Sequence, residues 1–305
     1  MSTIAYETVD VFTTTRFGGN PLAVIPDSRG LSDAAMQQIA AEFGYSETTF
    51  VLPPANSQHS AQVRIFTPTG EVPFAGHPNV GTAFVLARRG AVFGRPVGEH
   101  MRFEERAGIV DVRVLHTDDN ISGAEITAPR PLEVGQTIAV DLIAACASLT
   151  ADSLTTARHL PCIVSVGLPF VIAEVVSLAA LSQARPNPMR FAEADAALPP
   201  IDGRFSLFLY VATPEAPHDF SARMFAPLDN VMEDPATGSA SAALAAYRVA
   251  LMPDNEIEAA LSIVQGVDMG RPSLILLRVS KAAGLVQQVV VGGSCVPVMR
   301  GELSV

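Results

Sequence analysis

The sequence predicts an α+β protein made of two similar halves, each a strongly curved sheet wrapped around one central helix. Two observations carry that reading. The first is internal repetition, which precedes any motif search because it decides the architecture. Arg64-Ile-Phe-Thr-Pro68 is followed by His77-Pro-Asn-Val-Gly81-Thr-Ala83, and Arg223-Met-Phe-Ala-Pro227 by Asp234-Pro-Ala-Thr-Gly238-Ser-Ala240. The intervening loops differ by two residues. Upstream, Gly19-Asn-Pro-Leu-Ala-Val24 is echoed by Gly167-Leu-Pro-Phe-Val-Ile172, in the same order. The second observation is that many short β-rich stretches alternate with a few helical ones. A tandem duplication follows, with lobes over 1–128 and 129–305 joined near Pro129-Arg-Pro131. The last strand is free to return to the first lobe.

Taken in order, strands are expected at 5–13 and 22–25 from their alternating or β-branched composition. A helix over 31–43 follows, with Ser32 or Asp33 at its start and Gly44 as its stop. Strands at 49–52 and 61–66 lead to a helix after Gly81, and a strand spans 109–115. In the second half the strands are 163–166, 170–175, 207–212 and 221–225, then 273–279 and 286–291. The proline-rich piece 185–201 reads as an irregular excursion or a short helix. The alanine-rich runs after Gly81 and Gly238 favour helix, and their low polarity predicts burial on all sides.

With 305 residues, 49% hydrophobic and 17% charged, the chain has ample material for one large core or two smaller ones. Acidic residues outnumber basic ones 31 to 20, and Lys281 is the only lysine. That balance opposes binding to nucleic acid or to an anionic membrane face. Cys146, Cys162 and Cys295 are odd in number and far apart, which predicts a reducing, cytoplasmic setting. The start, MSTIAYETVDVF, has no signal-peptide pattern, and the longest apolar stretch (161–181) is broken by Gly167, Pro169 and Glu174.

Chemistry is expected first at the two loop-to-helix junctions. Proline suits a first helical turn, and the small residues beside it let a ligand approach free backbone N–H groups. Two such ends, related by duplication, would grip a carboxylate or enolate from both sides. The competing reading makes His-Pro and Asp-Pro simple caps. Glu47, in GYSETTFV, lies between a helix end and a strand, a good place for a positioned base. Partial burial would raise its pKa toward useful general-base values; otherwise it is a solvated loop glutamate. His116-Thr-Asp-Asp-Asn120 reads as a polar turn, and His59, His100, His159 and His218 lack metal-type spacing. Zinc, nucleotide and serine-hydrolase motifs are absent. The glycine-rich run 265–273 either borders the site or turns into a strand.

GYSETTFV, FTPTGEVPFAGHPNVGTA, EDPATGSASAAL and QGVDMGRPS resemble the phenazine-biosynthesis PhzF-like isomerase family, in order and over essentially the whole chain. The resemblance implies a diaminopimelate epimerase-like fold with the site between two pseudo-symmetric lobes of mostly antiparallel sheet. It also implies a homodimer, no cofactor, and a proton shift on a small carboxylate such as a dihydro-hydroxyanthranilate. It makes Glu47 the general acid/base. His77, Asp234 and Ser239 would position or protonate the substrate, and Asn20, Ser46, Gly76 and Gly238 would bind it. Related epimerases use a cysteine from each lobe; here those places look like Ala75 and the Asp234-Pro235 region. A single carboxylate working on one face therefore fits better than two thiols. Asn79 stands where many relatives have threonine. The rival readings are a binding protein with reduced catalysis, an amino-acid racemase or epimerase, and a dehydratase. Binding without deuterium uptake, inversion at one carbon, and release of water would mark them respectively.

Overall fold

The computed structural model describes residues 3–198 and 203–305, so residues 199–201 of the proline-rich piece lie outside the described part. The chain forms two compact units, one of residues up to 129 together with 290–305, the other of 130–289. Among the described residues, no helix is long and apolar enough to cross a membrane.

In the first unit, Thr3–Val11 pairs antiparallel with Asn20–Ile25, which runs parallel to Glu47–Leu52. That strand is antiparallel to Ala61–Phe66, which runs parallel to His100–Glu105. Gly108–Thr117 and Asn120–Thr127 follow as antiparallel neighbours. The end of the long strand Leu285–Ser304 then lies between Asn120–Thr127 and Thr3–Val11. Eight strands thus close on themselves, which removes the exposed edges an open sheet would leave. Inside runs the helix Gly76–Arg89, buried continuously from Gly76 to Leu86. A Cβ at Gly81 would lie 2.6 Å from Leu22 and 2.8 Å from Val11, so the helix meets the wall where only glycine fits.

The second unit repeats the order. Cys162–Ser165 is antiparallel to Pro169–Val175, which is parallel to Leu207–Ala212. Phe220–Ala226 is antiparallel to that strand and parallel to Ile257–Gln265, which is antiparallel to Ser273–Ala282. Its central helix is Gly238–Ala250, buried from Gly238 to Ala246. This agreement of pairing, sense and order extends the repeat well beyond the two sequence echoes.

The repeated Arg-x-Phe-x-Pro segment has a physical role in each half. Arg64 makes a two-pronged ion pair with Glu71 (2.8 Å at both contacts) and lies 5.1 Å over Phe66. Arg223 does the same with Glu233 (2.8 and 2.7 Å) and lies 5.0 Å over Phe225. Each glutamate sits on a short strand antiparallel to its arginine's strand, five residues before the first residue of the central helix. The fork-to-carboxylate geometry therefore fixes where each helix begins.

Several expectations need correction. Both central helices are longer or placed differently than expected: the first begins at Gly76, not after Gly81. Pro78 lies in its first turn, but Pro235 lies outside the second helix, which begins at Gly238. His116 belongs to the strand Gly108–Thr117, and only Asp118 and Asp119 turn the chain. Strands His100–Glu105, Asn120–Thr127 and Ile257–Gln265 went unpredicted, as did the helix Val140–Cys146. The proline-rich piece contains the helix Pro188–Ala197, started by Asn187. The 31–43 helix runs Asp33–Phe43 with Ser32 as its cap and Gly44 left-handed at its end.

Candidate active site

In the first unit, three neighbouring strand and helix ends bring four polar side chains together. Glu47 opens its strand beside Leu22, and Asn20 opens the adjacent one. His77 is the second residue of the central helix. A bond between Thr49 and Thr82 hydroxyls (2.8 Å), both fully buried, ties the Glu47 strand to that helix.

Ser46 Oγ donates to Asn20 Oδ1 (3.1 Å), and Asn20 Nδ2 donates to His77 Nδ1 (3.3 Å). An amide nitrogen can only donate, so Nδ1 is an acceptor and the neutral ring carries its hydrogen on Nε2. That Nε2 lies 3.7 Å from Glu47 Oε2, beyond bonding distance, and has no hydrogen-bond partner. His77 is 3% exposed, and burial pushes its pKa down to about 3. The imidazole is therefore neutral near pH 7 and acts as a hydrogen-bond donor, not as a cationic acid. Glu47 keeps 18% of its side chain exposed, although the oxygen that faces His77, Oε2, is sealed from solvent.

In the second unit Asp234 ends the strand Val231–Asp234, and its Oδ2 accepts a 2.6 Å bond from the Thr237 hydroxyl. Gln265, fully buried, holds this turn on both sides. Its Oε1 accepts from Thr237 N (3.0 Å), while its Nε2 donates to Asp234 O (2.8 Å) and to Thr237 Oγ1 (3.1 Å). Ser273 Oγ donates to Pro235 O (3.0 Å). Gly266, at φ +77°, passes so close that a Cβ there would meet Pro235 O at 2.5 Å. The run 265–273 is thus both a turn before a strand and the cradle of the Asp234–Gly238 loop. Ser239 is the second residue of the helix that follows and is buried.

Neither His77 nor Asp234 caps a helix: Ala75 and Thr237 are the N-caps, without side-chain capping bonds. Helix starts and the arginine–glutamate clamps pair Gly76 with Gly238 and His77 with Ser239. The pairing of His77 with Asp234 suggested by the shared proline is corrected accordingly. By the same match Thr237, and not the Asp234-Pro235 region, is the counterpart of Ala75. Strand register sets Ser206 opposite Glu47 in the repeat and Leu168 opposite Asn20. At the positions of Glu47 and His77 the second half carries Ser206 and Ser239, so the Asp234 carboxylate occupies a different place. Of the two readings of the run 265–273, its packing against the Asp234 loop was open to the sequence through the glycine flanking Gln265, which marks a tight backbone approach; the bonds of Gln265 and Ser273 to Thr237 and Pro235 were not.

Among the described residues, no group of three His, Cys, Asp or Glu side chains is arranged to hold a metal ion. The three cysteines are buried, and burial raises each thiol's pKa.

A barrel closed around one helix, followed by a second unit with the same strand order and its own buried helix, is the diaminopimelate epimerase-like fold. It is similar to the crystal structure of a phenazine biosynthesis protein from Bacillus anthracis, with a TM-score of 0.86, 24% identity and all of both chains covered. The chain belongs to the phenazine biosynthesis-like protein family (PhzC-PhzF), whose model matches residues 9–301. It is 36% identical to an uncharacterized isomerase of Mesorhizobium japonicum over 99% of both chains. It is 34% identical to trans-2,3-dihydro-3-hydroxyanthranilate isomerase of Pseudomonas chlororaphis over 98% of both. The chain is accordingly an enzyme of the isomerase class.

Proposed function

We propose that this enzyme moves a proton within a small carboxylate-bearing substrate, with Glu47 as its single acid/base. The observation that carries the reading is the linked set Ser46–Asn20–His77 ending 3.7 Å from Glu47, present in one half of the repeat only. A two-base racemase needs a second base in the other half; there Ser206 and Ser239 stand at the places of Glu47 and His77, and the Asp234 carboxylate is engaged by the Thr237 hydroxyl.

In the proposed step Glu47 as carboxylate removes a C–H proton, and the electron pair moves into the adjoining unsaturated system. Glu47 then returns that proton to another carbon on the same face, and the double bond shifts. The charge that develops is met by His77 Nε2–H and by the backbone donor at Gly76. We assign Asp234 and Ser239 a role in substrate binding, and Asn20 and Ser46 the support of His77. No step calls on a cofactor. We further propose that the enzyme is cytoplasmic and works as a homodimer, which sedimentation would test.

The test uses trans-2,3-dihydro-3-hydroxyanthranilate, the compound named for the Pseudomonas relative, in heavy water. The wild type is expected to incorporate deuterium at carbon. Glu47→Gln should lose this by about 10²–10⁴-fold while retaining binding by calorimetry. Exchange at the wild-type rate in that variant rejects Glu47. Failure of the wild type to bind rejects the substrate class.

A further inference from the structure

The first turn of the first central helix is held by one more ionisable residue, Glu105, at the end of the strand His100–Glu105. Its stem is partly exposed, yet both carboxyl oxygens are sealed from solvent and have no hydrogen-bond partner. Its polar neighbour is the Asn79 amide, on the helix carrying His77. Asn79 Nδ2 gives one N–H to Ala75 O (3.0 Å), the carbonyl of the helix N-cap, and has its second N–H left for Glu105, while Asn79 Oδ1 is itself buried without a donor. Three acceptor-type oxygens thus share one sealed place. As a carboxylate Glu105 would have no hydrogen to offer Asn79 Oδ1, which would stay unsatisfied; one proton on Glu105 supplies the missing donor.

We propose that Glu105 is a positioning residue, a neutral carboxylic acid that donates to Asn79 Oδ1 and so fixes the helix end bearing Gly76 and His77. The proposal rests on the reading of His77 as a substrate-facing donor. Burial, the larger effect, raises the Glu105 pKa well above its ordinary 4.5 and outweighs the Asn79 N–H, which lowers it. Neighbouring charges are engaged elsewhere. Glu104 takes His59 and the N–H groups of Ala55 and Asn56, Arg106 reaches Glu71, and His77 faces Asn20 and Glu47.

The sign of the linkage is definite. A carboxyl whose folded pKa is raised contributes its full stability below the unfolded value of 4.5 and loses it as pH rises toward the folded value. Glutamine, which mimics the neutral acid without titrating, escapes that loss. The melting temperature of Glu105→Gln relative to wild type is therefore expected to climb as pH is raised from 4 to 8. At pH 7 the ¹⁵N–¹H signal of His77 Nε2 should be retained in Glu105→Gln and displaced or broadened in Glu105→Ala and Asn79→Ala. A difference in melting temperature that stays flat with pH overturns the neutral acid. An unmoved His77 signal in both alanine variants overturns the positioning role. Neither measurement needs substrate, so they stand apart from the exchange test of Glu47.

Discussion

His77 sits where a histidine usually changes charge near neutral pH, yet its surroundings deny it that switch. Its ring is buried, and the one partner fixed on Nδ1 is an amide donor, which selects a single neutral tautomer. Replacing that amide by a carboxylate, Asn20→Asp, is expected to raise the His77 pKa from about 3 by about 1–3 pH units. Ring ¹⁵N shifts followed against pH check this; a ring that already titrates near 6.5 in the wild type defeats it. The same burial shapes acid stability. A base with a depressed folded pKa contributes stability that is present above the unfolded value of 6.5 and lost as pH falls toward 3. The loss amounts to on the order of 4 kcal/mol for a shift of that size. His77→Gln should flatten this part of the acid limb in urea titrations, and an unchanged slope would assign the limb to other groups. The sequence singled out Glu47 and His77 through their motifs, and the fold sets them 3.7 Å apart. The tautomer was not legible there, because it depends on Asn20, distant in sequence and brought near only by strand pairing.

At the scale of elements, the two clamps differ in burial, and their energies should differ with it. Arg223 is 6% exposed and also donates to the carbonyls of Leu181, Ser182 and Ala184, whereas Arg64 is 19% exposed and its third partner, Asp33, is on the surface. Removing one partner of a buried pair strands the other charge, so Arg223→Ala is expected to cost about 3–5 kcal/mol. Arg64→Ala should cost less, since solvent can reach what remains. Chemical denaturation ranks the two, and a larger loss at Arg64 would contradict the burial argument. The single lysine serves the other end of a helix. Lys281 Nζ donates to Val249 O, Ala250 O and Met252 O, where Gly238–Ala250 ends. Lys281→Met leaves three carbonyls without that donor and should cost about 1–3 kcal/mol; a melting temperature equal to the wild type would show that water replaces the ammonium at no cost. These clamps explain what sequence could and could not reveal. The arginine–phenylalanine echo was visible because both halves keep it. The glutamates were not paired with it, since they lie seven and ten residues further on and in loops of unequal length. The missed strands, such as Ile257–Gln265 with its part-buried alternate positions, lack a strong periodic contrast because their faces are not cleanly divided between core and solvent.

Over the whole molecule, the order of assembly follows from connectivity. The second unit is contiguous in sequence, whereas the barrel of the first cannot close until its last strand arrives from the far end of the chain. Thr3 pairs with Ser304 and Val11 with Cys295, so the closing contacts span nearly the entire length. Such contacts form late, because the loop entropy is spent before they are rewarded. The sequence allowed for a returning last strand, but not that it would sit between Thr3–Val11 and Asn120–Thr127 as the closing member of the ring. During refolding of the full chain, pulse-labelled hydrogen exchange should show amides of Leu207–Ala212, Phe220–Ala226 and Gly238–Ala250 protected first. Those of Thr3–Val11, Asn120–Thr127 and the last fifteen residues should follow together, as one cooperative step. Protection of Thr3–Val11 ahead of the second unit would mean that the first barrel forms without its closing strand. Until that strand docks, two long strand edges and the apolar helix between them stay open, which makes this intermediate the one most exposed to aggregation. Light scattering during refolding should accordingly rise in the interval between the two protection phases and stop growing when the second is complete.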